Sequence, residues 1–338
     1  MQNSSSPEKT LKPTTITNNY HAVLHSIAML AGMQLDVFTP LKNGPLNAKK
    51  LASALGVEEE KLTPLLYSLV VAGLLTVDDA EFSNTQEADV FLVRGRPEYL
   101  GELSGFYNRT WTTALKTAET IRTGKPQAKL DFRGLSDEEL LPYFQKQVHS
   151  SIRGGKEIAE YIDFSKFQNL LDAGGGTGGV SIAICSKYPH LNATVADFPK
   201  VTKLAERFIE DAGLSDRIHI APTDFCSHAP EGKYDVAVLR ALIQTLSREE
   251  AQAALKHIGQ AILPGGRIFL FGSVLDNSRL VPSVSVANNL IFLNAYDHGR
   301  SYTEREYQQM LTNAGFTDIT IRHEALTDGM GLIAATKR

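Results

Sequence analysis

The sequence predicts an α/β fold, a doubly wound and mostly parallel sheet with an antiparallel C-terminal edge, preceded by a helical domain of winged-helix pattern. Three observations carry this. From Phe167 onward short apolar runs alternate with amphipathic stretches, the mark of repeated βα units. Before that point apolar residues recur mostly at helical spacing. At the head of the sheet stands Leu170–Val180, where an apolar run ends in Asp172 and is followed by five glycines around Thr177. Glycine permits a tight turn and close approach of a ligand, and the Val180–Ile184 run then reads as a helix opening toward it. Asp172 can accept hydrogen bonds from that ligand or from the loop. The spacing of Gly174, Gly176 and Gly179 also satisfies the dinucleotide pattern G-x-G-x-x-G.

Taken in order, residues 1–18 are polar and rich in Ser, Thr and Pro and read as a mobile tail; without an apolar core they are not a signal peptide. Residues 19–98 form the winged-helix-like part. Tyr20–Leu41 is a helix or helix pair carrying Val23, Ile27 and Leu30, a stripe expected to serve the core and a two-fold interface. Asn47–Leu55 and Glu58–Ala72 follow as helices closed by Gly56 and Gly73, and Leu74–Val77 with Glu81–Ser83 reads as a hairpin. Residues 99–165 are helical linker: Tyr99–Ile121 with Phe106, Tyr107 and Trp111, a loop Lys125–Gly134, then Glu138–Ile162. Residues 166–338 carry strands at Asn169–Asp172, Ala193–Asp197, Ile218–Thr223, Tyr234–Leu239, Arg267–Phe271, Ile319–Arg322 and Leu332–Thr336. The intervening helices are Val180–Lys187, Lys200–Ala212, Glu249–Ile262 and Glu304–Ala314.

Composition narrows the function. A chain of 338 residues, 43% hydrophobic and 21% charged, can bury a sizeable core. A net charge of −4 and three glutamates at the start of the second winged helix argue against nucleic-acid binding. No run of about 18 apolar residues is present to span a membrane. Cys185 and Cys226 lack ligand spacing and read as reduced thiols of a cytoplasmic protein.

Ligands of open α/β sheets sit at the carboxyl ends of the strands. There the chain places the glycine loop, then Asp197, nineteen residues beyond Gly178 and suited to accept both hydroxyls of a ribose. Asp224 follows for an amino group, with Phe225 to pack on a purine, and then Arg240. Together they describe a nucleoside site.

Leu-Asp-Ala-Gly-Gly-Gly-Thr-Gly, Asp197-Phe-Pro, Thr223-Asp-Phe and Leu263-Pro-Gly-Gly-Arg resemble the successive motifs of S-adenosylmethionine-dependent methyltransferases. More closely, the chain resembles the plant caffeate-type and bacterial small-molecule O-methyltransferases over nearly its whole length. The resemblance implies a Rossmann-like methyltransferase sheet behind a dimerisation domain. It also implies S-adenosylmethionine as cofactor, held by Gly174 and Gly176 in the glycine loop, Asp197, Asp224, Phe225 and Arg240. It further implies an intertwined homodimer in which the partner's N-terminal segment closes the pocket.

The chain departs from that family at the chemistry. Gln244 stands where the family's histidine base is expected, and Gly272 and Ser301 stand where many plant members carry flanking glutamates. An amide takes no proton at neutral pH, so Gln244 can orient a substrate but cannot act as base. Where a base is needed, His298 beside Asp297 is the first candidate, ahead of His149 and Tyr296. A metal held by His298 with Asp297 or His149 is not favoured, since no two histidines have ligand spacing. The expected substrate pocket collects Phe106, Tyr107, Trp111, Phe144, Asn289, Phe292 and Tyr296 for a flat or apolar small molecule. Two rivals remain: a family member that binds the cofactor without transferring methyl groups, and an NAD(P)-dependent oxidoreductase.

Overall fold

The computed structural model describes residues 11–129, 134 and 136–338. The chain divides into two compact units, Met1–Thr112 and Thr113–Arg338.

In the first unit, helix α1 (Thr14–Leu35) begins inside the segment expected to be a tail, so residues 14–18 are helical. Residues 1–10 of that segment lie outside the described residues. Only the C-terminal half of α1 enters the core, through Ala28, Leu30 and Met33; Ile16, Tyr20, Val23 and Ile27 stay exposed. Strand β1 (Leu46–Asn47) leads into α2 (Ala48–Leu55), where the Asn47 side chain accepts from Lys50 N–H at the helix start. Helix α3 (Glu59–Val71) and the hairpin β2 (Leu75–Asp78) and β3 (Glu81–Asn84) complete a helix–helix–hairpin unit. The three strands order as β1-β3-β2 over a core of Leu51, Leu66, Leu69, Leu75 and Phe82. Helix α4 (Gln86–Phe91) and α5 (Ser104–Ala114) follow.

The stretch Tyr99–Ile121 is two helices rather than one: α5 stops at Ala114 and α6 (Thr117–Thr123) begins after Leu115-Lys116. No α5 residue is buried, so Phe106, Tyr107 and Trp111 are surface or half-buried rings, with Tyr107 and Trp111 stacked. The expected loop 125–134 lies partly outside the described residues.

The second unit continues with α7 (Asp137–Tyr161), a helix of 25 residues. Then come β4 (Asn169–Ala173), α8 (Gly179–Lys187), β5 (Asn192–Asp197), α9 (Pro199–Asp211) and β6 (Ile218–Pro222). Next are β7 (Tyr234–Arg240), α10 (Arg248–Ala261), β8 (Ile262–Gly272), β9 (Val274–Leu275) and α11 (Ser283–Ala295). Last are β10 (Tyr302–Thr303), α12 (Glu304–Asn313), β11 (Phe316–Arg322) and β12 (Gly331–Lys337). The seven-stranded sheet runs β11-β12-β8-β7-β4-β5-β6, with β12 antiparallel to both neighbours. The chain starts at β4, builds β5 and β6 to one side, then crosses to β7 and β8 on the other. The crevice at the carboxyl ends of β4 and β7 is therefore the switch point.

Both faces of the sheet are covered, which is why its central strands are continuously apolar. In β8, Ile268 and Leu270 pack with Leu255, Ile258 and Leu311 of α10 and α12. Phe269 and Phe271 join the opposite layer with Ile158, Ile182 and Ala205 of α7, α8 and α9. Helix α11 occupies a stretch to which the sequence pattern assigns no element, and the parallel pair β9 and β10 has no strong sequence pattern to announce it.

Candidate functional site

The glycine loop joins β4 to α8 at the switch point. Gly174, Gly176 and Gly178 adopt positive φ, of 71°, 56° and 73°, a path that side-chain-bearing residues rarely follow. Gly175 and Gly179 answer a different need. A Cβ on Gly175 would meet the Asp172 carboxyl carbon at 2.8 Å, and one on Gly179 would meet Ser151 of α7 at 2.7 Å. Thus the loop is pinned from below by β4 and from outside by α7.

Asp172 is 1% exposed, and its Oδ2 accepts both the backbone N–H of Ser181 at 3.2 Å and its hydroxyl at 2.7 Å. Asp172 thus fastens the start of α8. Asp197 ends β5. Its Oδ2 accepts from Gly176 N–H at 2.9 Å and its Oδ1 from Phe198 N–H at 2.7 Å, so the carboxylate holds the loop while standing beside it. Burial pushes both carboxyls up to about 6, against the opposing pull of those hydrogen bonds.

Phe144 of α7 stands 3.7 Å from the place a Cβ on Gly176 would take, and it packs with Val201 and Leu204 of α9. Phe144, expected in the substrate pocket, thus stands over the glycine loop. Leu242 closes the loop from the β7 side, 3.1 Å from a Cβ on Gly174. Asp224 turns on its own loop, Oδ1 accepting from Cys226 N–H at 3.1 Å and Oδ2 from the Ser227 hydroxyl at 3.2 Å. The Phe225 ring is 6% exposed and belongs to the sheet core with Ala196, Leu239 and Ile258. It is a core ring rather than an open platform, because apolar neighbours surround it on that face. Arg240 ends β7 and donates from Nη2 to Asp328 at 2.7 Å.

On the other side of the crevice, Gln244 sits in the short turn Ile243–Thr245 after β7 and is 4% exposed. Its carbonyl accepts from Arg300 N–H at 2.8 Å, and its side-chain amide makes no hydrogen bond among the described residues. The Oε1 atom occupies space that a side chain at 272 would need, since a Cβ on Gly272 would fall 2.5 Å from it. The Gln244 amide and the bare Gly272 are thus complementary. Ser301 is fully enclosed, its hydroxyl bonded to Ser273 and to the Ser285 carbonyl, while its N–H donates to Asn289. Asn289 thus accepts a structural hydrogen bond through its Oδ1.

His298 is exposed and lines a cleft of about 290 Å³ with Thr120, Ile121, Leu293 and Tyr296. Asp297 does not orient it: that carboxylate pairs with Lys129 at 2.6 Å. Phe292 and Tyr296 are half-buried neighbours, their ring centroids 6.5 Å apart. His149 is exposed on α7. Phe106, Tyr107 and Trp111 belong to the α4–α5 part of the chain, Phe106 half exposed and Tyr107 packed against the first unit's core. Among the described residues no three His, Cys, Asp or Glu side chains gather as metal ligands.

Three features escaped the sequence reading. Gly154 and Gly155 in mid-helix let α7 approach β7 and α8, and a glycine pair inside a helical pattern is the signal that marks them. Asn294 is enclosed and bonds Thr117, Thr120 and the Leu290 carbonyl, tying α11 to α6. Asp328 reaches Arg240 across 88 residues of chain, a pairing with no local signature.

Comparison with known proteins gives a consistent picture. The O-methyltransferase domain family matches residues 124–317, and the O-methyltransferase dimerisation domain matches residues 19–94. The chain is 28% identical over 304 residues to the tetracenomycin polyketide synthesis 8-O-methyl transferase TcmO of Streptomyces glaucescens, covering 87% of this chain and 88% of that protein. It is 27% identical over 323 residues to the L-tyrosine C(3)-methyltransferase of Streptomyces lavendulae, covering 91% and 88%. The crystal structure of human N-acetylserotonin methyltransferase in complex with SAM superposes with a TM-score of 0.78 at 23% identity, covering 98% and 99%.

Proposed function

Because this chain belongs to the O-methyltransferase family, whose members are S-adenosylmethionine-dependent enzymes acting on small molecules, we propose that it methylates a small aromatic or apolar acceptor without a histidine base. One observation carries the reading: the position expected to hold the base is a buried glutamine, Gln244, whose amide fills the space above Gly272.

The loop residues fit the cofactor. Five glycines leave a cradle that side chains would fill, and Asp197 stands at its rim with lone pairs to spare after two backbone bonds. In this reading Gly174, Gly176 and Asp197 hold the nucleoside, Asp224 bonds its amino group and Arg240 lies near it. The cofactor supplies, when bound, a methyl group on a positively charged sulfur, an electrophile that needs little beyond in-line presentation of a nucleophile. Gln244 then positions the acceptor through its unused amide and takes no proton. An acceptor that suits such a site is a ring carbon or nitrogen, or a phenol acidic enough to arrive ionised. The two relatives support that range, one named as an O-methyl transferase and the other as a C-methyltransferase acting on L-tyrosine.

The dimerisation domain and the exposed Ile16, Tyr20, Val23 and Ile27 of α1 support a homodimer. Deleting residues 1–32 is expected to abolish dimerisation and activity together, and a fully active monomer in sedimentation would remove the homodimer from this reading.

The test is to titrate S-adenosylmethionine and then offer phenols, arylamines and keto acids while following S-adenosylhomocysteine. Turnover unchanged by His298→Ala supports transfer by positioning, and loss in that variant returns the base to His298. Tight binding with no turnover on any acceptor favours the non-transferring alternative.

A further inference from the structure

Gly154 lies in the interior of α7, where alanine would serve the helix better. A Cβ there would stand 2.9 Å from Arg240 Nε and 3.1 Å from both Cζ and Nη2. The guanidinium therefore rests against the one point of the helix that a side chain would close. Its Nη2 is held by Asp328 at 2.7 Å, and its Nε is buried without a hydrogen-bond partner among the described residues. Asp328 belongs to the β11–β12 loop, and that loop is anchored back to the same helix. Glu157, three residues beyond Gly154, accepts from Thr327 N–H at 2.5 Å and from its hydroxyl at 3.0 Å. Helix α7 thus supplies both the floor for Arg240 and the post for the loop that grips it. A buried donor left unsatisfied is costly, and such a cost persists where the pose itself is used.

We propose that Gly154 and Asp328 are positioning residues for Arg240, with Glu157 fixing the loop that presents Asp328. The proposal rests on the reading of Arg240 as a cofactor contact. It makes the β11–β12 loop, remote in sequence from every nucleoside motif, part of the cofactor site. The planar fork of arginine has one orientation that fits between a helix backbone and a carboxylate, so its aim is set by those two neighbours.

The experiment uses the full chain, with S-adenosylhomocysteine affinity from calorimetric titration and the thermal midpoint from denaturation. Arg240→Ala is expected to weaken affinity about tenfold, which establishes the premise. Gly154→Ala is expected to weaken it about fivefold while holding or raising the midpoint, because alanine favours the helix and only the guanidinium must move. Asp328→Asn is expected to weaken it about threefold. In an Arg240→Lys background, Gly154→Ala should have no further effect, since the slimmer ammonium does not rest on the helix. A change in midpoint without a change in affinity for Gly154→Ala and Asp328→Asn overturns the proposal. Full affinity in Arg240→Ala removes its premise, and the proposal with it.

Discussion

The two sides of the crevice are built by different means. On the glycine-loop side each carboxylate is committed to backbone within its own βα unit or the next: Asp172 to Ser181, Asp197 to Gly176 and Phe198, Asp224 to Cys226. On the side after β7, the Gln244 amide has no hydrogen-bond partner among the described residues, His298 is exposed, and the residues around His298 come from α6, α11 and the segment between α11 and β10. One side is a fixed receptor made of main chain. The other is a set of side chains on a turn, two helices and a loop, supports that vary more readily than a sheet-bound main chain.

The largest effect should come from the fixed side. On the proposed reading, Asp197→Ala removes an acceptor for ligand hydroxyls and the anchor of Gly176 N–H together. At about 1.5–3 kcal/mol for each hydrogen bond to a charged group, S-adenosylhomocysteine affinity should fall roughly 100-fold or more. Calorimetric titration checks this, and a loss below tenfold would move the nucleoside away from β5.

Next in size is Gly155→Ala. Its Cβ would meet Val180 Cα and the Ala183 methyl at 2.8 Å, and backbone cannot swing aside as the end of a side chain can. Overpacking of this kind costs about 1–3 kcal/mol, partly offset by the roughly 1 kcal/mol that alanine gains over glycine in a helix. A net loss of stability in urea denaturation is expected. Equal stability would show that α7 shifts freely over α8.

A third prediction separates the two roles of the loop carboxyls. Asp172 is raised to about 6 by burial, so the folded protein binds its proton more tightly than the unfolded chain does. That contribution to stability is largest below pH 4 and is lost as pH rises toward 6. It amounts to roughly 3 kcal/mol for a shift of about two units. Asp197, also near 6, would on the proposed reading accept ligand hydroxyls more strongly as the carboxylate. The midpoint of the ligand-free protein should therefore gain on acidification from pH 7 to 5 through these groups, while the stabilisation given by S-adenosylhomocysteine shrinks about tenfold in binding terms. Thermal scans across that range test both signs.

The same division explains what the sequence could disclose. The glycine loop and the places of Asp197 and Asp224 just at or after strand ends are legible because local backbone geometry and strand period set them. The sheet is legible because period and burial coincide. Asp328, Gly154 and Asn294 are not, since each acts through a partner 86 or more residues away in the chain, or in Asn294's case far beyond that. Phe225 and Phe144 show the limit from the other side. Residue type and position suggested a ring on the nucleoside and a ring in the acceptor pocket, yet packing placed one in the sheet core and the other over Gly176.

The smallest effect on binding, and the most informative about chemistry, is expected from Gln244→His. The change lies on the variable side, so S-adenosylhomocysteine affinity should stay within about twofold. Gly272 leaves room for a ring where Gln244 now extends, and Arg300 N–H bonds the backbone carbonyl rather than the side chain, so the turn should hold. A histidine there can accept a phenolic proton, which glutamine cannot. Turnover of phenols of ordinary acidity should then rise by about 10- to 100-fold, following the ionisation of the new imidazole, while turnover of amine or carbon acceptors stays flat or falls. If phenols gain nothing while the fold and the cofactor affinity are intact, the missing base is not what limits them. The difference between the two sides would then lie in the shape of the acceptor pocket rather than in its proton chemistry.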